Sequence, residues 1–76
     1  MNSQRRKVIA DIMSRLETLR GEIEYLTDEE QETFDNMPEG LQSSERGEKA
    51  EAAISALEYA SSSIEDCIQS LEEASE

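Results

Sequence analysis

The side chains able to do chemistry are few. Cys67 is the single thiol, His and Trp are absent, and 19 acidic face 7 basic residues, a net charge of −12 over 76 residues. Without His there is no His-based general acid–base chemistry, no Ser–His or Cys–His nucleophile pair, and no His-containing zinc or di-iron site. Paired carboxylates can run hydrolysis, but only where an apolar pocket shifts one of them. Here the acids fall at helix positions expected to face solvent. The three glycines stand apart at 21, 40 and 47, so no glycine-rich phosphate cradle forms. Asp28–Asp35 lacks the alternate ligands and central glycine of a calcium loop. Cys67 reads as a small packing residue rather than a nucleophile. The expectation is a protein that is not an enzyme and holds no cofactor and no metal.

What remains is binding, and one stretch mixes chemistries. Asn36–Arg46 offers Met37 and Leu41 as apolar anchors, the amides of Asn36 and Gln42, and the cation of Arg46. Loops held by a rigid scaffold often carry recognition, and recognition rests on a few such anchors. These five residues are the candidate partner-binding set. The competing reading is that Met37, Leu41 and Phe34 merely close the end of the fold.

The scaffold is read from apolar spacing. Ile9, Ile12, Leu16, Leu19, Ile23 and Leu26 step by three and four, a heptad seam. Ser3 is the expected N-cap. Thr27 with Glu30 matches a capping box, so the helix could restart there. Pro38 and Gly40 punctuate the chain, with Pro-Glu-Gly expected as a turn. A second helix, capped by Ser43 or Ser44, repeats in heptads, with the seam Ala50, Ile54, Leu57, Ser61, Ile64, Ile68 and Leu71. The spacing predicts one all-α domain over 1–76: a helix over about 4–35, a linker over 36–43 and a helix over about 44–74.

The two seams match as an antiparallel helical hairpin when paired residue numbers sum to 80, placing Leu16 against Ile64 and Ile12 against Ile68. In that register Arg6 faces Glu72 and Arg20 faces Glu58. One hairpin buries little, so a homodimer is expected, a four-helix bundle. Its interface is expected along Val8 and Met13 of the first helix and the small-residue stripe Ala53, Ala60, Cys67 and Ala74 of the second.

Charge and cysteine usage narrow the setting. Residues 1–20 carry five basic and two acidic groups, and residues 21–76 carry two basic and seventeen acidic. The second segment repels phosphates and anionic lipid, so neither direct nucleic-acid binding nor membrane binding is expected. A lone cysteine, with no membrane-length apolar run and no signal-peptide pattern, fits the cytosol.

The run Asp28-Glu-Glu-Gln-Glu-Thr-Phe-Asp-Asn-Met-Pro-Glu-Gly-Leu-Gln-Ser-Ser-Glu-Arg-Gly47 and the following heptad helix resemble short, uncharacterised acidic helical proteins encoded by bacteriophages and prophages. The resemblance covers roughly 28–74 and is most specific in Phe-Asp-Asn-Met-Pro-Glu and Ser-Glu-Arg-Gly. It implies expression in the cytosol of a bacterial host, and an inhibitor or adaptor that acts on a host or defence protein. Two alternatives stand beside that reading. One is a DNA mimic, using the row Glu51, Glu58, Glu65 and Glu72 against a nucleic-acid-binding protein. The other is a sponge for a small signalling molecule, held between protomers.

Self-repulsion gives a first test. Bringing so many carboxylates together disfavours folding. The melting temperature should therefore rise between low salt and about 0.5 M, where the screening length falls to roughly 4 Å. A flat response would remove the premise.

Overall fold

A computed structural model describes residues 1–76. Three helices are present: α1 (Ser3–Asp35), α2 (Glu39–Gln42) and α3 (Glu45–Ala74). No helix is long and apolar enough to cross a membrane.

Helix α1 starts one residue earlier than expected. Asn2, not Ser3, is the N-cap, and its side-chain Oδ1 accepts from the Arg5 N–H at 2.8 Å. The helix then runs 33 residues without a break. Thr27 does not restart it: its hydroxyl donates back to the Ile23 carbonyl at 2.8 Å, as Thr18 does to Ser14 and Thr33 to Glu29. The end charges of α1 oppose its own dipole. No acid lies in its first turn and no base in its last, so its stability must come from what it packs against. Helix α3 starts better, with Glu45 and Glu48 in its first turn behind the N-cap Ser44.

The linker is more structured than a plain turn. Pro38 starts a one-turn helix: its carbonyl accepts from the N–H groups of Leu41 (2.8 Å) and Gln42 (3.1 Å). Gly40 sits inside that turn, and no residue of the chain has a positive φ, so the expected use of glycine flexibility at Gly40 does not occur. The glycine that matters is Gly47. A Cβ there would collide with the Gln42 carbonyl oxygen and lie 2.6 Å from that of Leu41. Only a residue without a side chain lets α3 pass so close to α2.

Past this crossing, α3 returns along α1 in the opposite sense. Arg6, near the start of α1, donates from Nε to the Ser75 carbonyl at 3.0 Å. Arg20 meets Glu65 farther along. The pair is a rod of 58 × 15 × 12 Å.

On α3 the inward line is Gly47, Ala50, Ile54, Leu57, Ser61, Ile64, Ile68 and Leu71, all buried or half-buried. That contains the seam predicted from spacing. On α1 the inward line is instead Ile9, Met13, Leu16, Arg20, Ile23, Thr27, Glu30 and Phe34, with Ile12 half-buried beside it. Leu19 and Leu26, expected in the seam, stay 49% and 51% exposed. The helix is turned so that Met13, the stem of Arg20 and Phe34 go in and the two leucines go to the flank. Two of the expected cross-helix pairs change accordingly. Arg20 pairs with Glu65 rather than Glu58, and Arg6 reaches the Ser75 carbonyl rather than Glu72.

Two glycine substitutions test this account. Gly47→Ala should lower stability by about 1–3 kcal/mol, the usual range for forced overpacking. Gly21→Ala should raise it by about 1 kcal/mol, because a Cβ there meets nothing within 4 Å in mid-helix. Urea denaturation of both variants measures the two signs, and equal effects would refute the crossing at Gly47.

Candidate interaction surface

Each expected binding residue can now be placed. Asn36 is the C-cap of α1; its N–H donates to the Glu32 carbonyl, and the next N–H, of Met37, donates to that of Phe34. Met37 is half-buried. The Gln42 amide donates from Nε2 to the Phe34 carbonyl at 3.1 Å and to that of Met37 at 3.3 Å. It therefore adds a second donor to the Phe34 carbonyl, which also accepts from the Met37 N–H, and ties down the Met37 carbonyl just past the end of α1. Gln42 is a structural clasp and Met37 is partly covered by the turn, whereas Asn36 is exposed and contributes only its backbone N–H there. Leu41 stays 42% exposed, and Arg46 is exposed and makes no ion pair. Arg46 borders a shallow hollow with Ser44, Glu45 and Lys49. Of the five residues, Asn36, Leu41 and Arg46 have side chains that the fold leaves free.

The expected oligomer-contact residues divide differently. Val8 is 52% exposed, whereas Met13, about 140° farther round the helix, is half-buried in the inward line. Those two cannot share an outer face. Ala53 and Ala60 are half-buried, and Cys67 and Ala74 are exposed.

Two long faces separate once the helices are laid side by side. One is polar: Arg20 bridges α1 to Glu65, and Glu24, Thr27, Asp28, Glu58, Ser61 and Ser62 line a groove beside it. On the opposite flank of α1 lie Val8, Ile12, Leu19 and Leu26. There α3 contributes the line Lys49, Ala53, Ala56, Ala60, Ser63, Cys67, Ser70 and Ala74, which steps by four and three and contains no acidic residue. The acids of α3 lie elsewhere, with Glu51, Glu58, Glu65 and Glu72 running down its polar side every seven residues. Spacing alone pointed to the alanine stripe. It missed the leucine flank because it had assigned Leu19 and Leu26 to the seam.

Arg20 is the electrostatic centre. Its guanidinium bonds Glu17 at 2.8 Å and Glu65 across the interface, with Glu24 at 3.8 Å. Its side chain is 27% exposed, and its Nε is buried without a partner. The hydrogen bonds to Glu17 and then to Glu65 raise its pKa above the usual arginine value. A raised pKa means the arginine's share of the stabilisation is complete at neutral pH and falls away as pH rises through that alkaline value.

Comparison with known protein families, characterised proteins and solved structures found no match, so the functional reading rests on this geometry.

The Arg20 contact fixes a second test. Glu65→Gln should lower the melting temperature at low salt, and Glu58→Gln should not. The difference should shrink at about 0.5 M salt, since partly exposed charges are screened. A larger loss from Glu58→Gln would restore the register predicted from spacing.

Proposed function

We propose that this chain is a non-catalytic protein-interaction module that works as a dimer of antiparallel helical hairpins, a four-helix bundle, and docks a protein partner through its turn end. In the phage setting implied by its resemblance, it is an inhibitor or adaptor of a host or defence protein in the bacterial cytosol. The observation that carries this reading is the turn. Its backbone is tied down by Gln42 and by the crossing at Gly47, and it leaves Leu41 and Arg46 free on a rigid frame. An apolar anchor beside a cation on a pre-ordered backbone is the kind of feature that concentrates binding energy.

The two alternatives draw less from the structure. A nucleic-acid mimic needs its acidic row free, and Glu65 in the middle of that row is neutralised by Arg20. A sponge would hold its ligand between protomers, and the open surface grooves of the single chain lend it no support.

Single replacement of Leu41 and Arg46 by Ala should each weaken partner capture from host lysate by roughly tenfold or more, at unchanged helicity. Gln42→Ala should instead lower the melting temperature, by about 1 kcal/mol of lost hydrogen bonding. If capture survives both Ala variants but is lost when Glu51, Glu58 and Glu72 become Gln, the acidic-face reading replaces this one.

A further inference from the structure

The apolar flank has no partner within the chain, and its size fits one more helix pair. A globular chain of 8.6 kDa is expected to expose about 4,700 Å². This one exposes 5597 Å². The excess, about 900 Å² by that scaling, is close to the roughly 800 Å² each partner contributes to a standard protein interface. Three of the exposed large apolar side chains line up: Val8, Leu19 and Leu26, separated by eleven and seven residues, fall within about 20° of one another on α1. The acid-free line of α3 lies alongside them.

Charge restricts where a second copy can sit. A second copy also carries −12, so two copies repel wherever acidic surfaces meet. The flank is where α3 presents no acid, so it is the surface on which two such chains can approach.

Charge also selects the orientation. The Arg20–Glu65 bridge divides the rod into a terminal half and a turn half. Residues 21–64, the turn half, hold two basic and twelve acidic side chains, a net of −10. Residues 1–20 and 65–76 together hold five basic and seven acidic, a net of −2. Stacking two rods with their turns at the same end sets −10 against −10. Stacking them head to tail sets each −10 half against a −2 half. In that arrangement α1 lies antiparallel to its symmetry mate, so the basic start of one copy runs beside the acidic end of the other.

We infer that this flank is a self-association surface, on which two copies stack head to tail about a two-fold axis perpendicular to the rod, with their turns at opposite ends. Met13 takes no part, because it is in the inward line of its own chain. The inference rests on the dimer named under the proposed function, and it specifies the face and the direction. It does not depend on the identity of the docking partner.

Three measurements on the full chain test it. Sedimentation at micromolar concentration should give roughly 17 kDa, twice the 8.6 kDa chain. Leu19→Glu with Leu26→Glu should shift the mass to the monomer and raise the rate at which a thiol reagent labels Cys67, whereas Tyr59→Glu, at a site 76% exposed on another side, should change neither. A monomeric wild type overturns the inference and the dimer together, while leaving turn-end docking to its own assay. An undisturbed dimer in the double variant overturns the face alone. The wild-type mass and thiol protection do not depend on whether the double variant folds. For direction, a spin label at Gly40→Cys in a Cys67→Ser background uses a site where a side chain meets nothing within 4 Å. Head-to-tail stacking predicts a label-to-label distance approaching the 58 Å rod length. A distance of roughly 20 Å, about two interhelical spacings, would overturn the orientation.

Discussion

The fold depends on how closely α3 passes α2 at Gly47. That passage leaves no room for a Cβ, because the Leu41 and Gln42 carbonyls occupy the space. Here the chain changes direction, and the Gln42 amide holds the reversal by bonding the end of α1. Everything beyond is two helices lying along each other, and two helices can bury only one line each. The core is accordingly thin: Ile9, Ala50, Ile54 and Ile68 are its buried apolar side chains. The small-residue start of α3, Gly47 and Ala50, belongs with the reversal, since a bulky residue at either place would push the helices apart just where they begin to pair.

Much of this was legible in the sequence. The heptads of α3 identify its inward line because its large aliphatic side chains, Ile54, Leu57, Ile64, Ile68 and Leu71, all fall there, while the rival line holds only small residues and Lys49. The α1 pattern is different. Ile9, Leu16 and Ile23 can be joined either by Ile12, Leu19 and Leu26 or by Met13, Arg20, Thr27 and Phe34. The spacing of apolar residues favours the first set. The structure takes the second, since Arg20 can lay its methylene stem in the seam while its guanidinium reaches Glu65, and Phe34 joins the same line. A hydrophobicity count cannot see that choice, because it scores arginine only as polar.

The turn shows the same limit. Its position follows from Pro38, but the hydrogen bonds of Gln42 and the steric need at Gly47 are long-range facts with no local pattern. Gln42 looked like a recognition residue because it is a polar amide on a linker. Its amide also clasps the backbone, and Asn36, Leu41 and Arg46 stand out as the groups left free.

The uneven charge of the rod has a consequence for motion in solution. A single chain with −10 at one end and −2 at the other experiences a torque in the field of any strongly basic surface, and it turns before it touches, whereas a head-to-tail pair carries −12 at each end and feels no such torque. The end that swings forward is the one bearing Leu41 and Arg46. Diffusion therefore delivers a single chain turn-first to a cationic surface, and a head-to-tail pair with either of its two turn ends alike. Raising the ionic strength slows that delivery while leaving the apolar anchor unchanged.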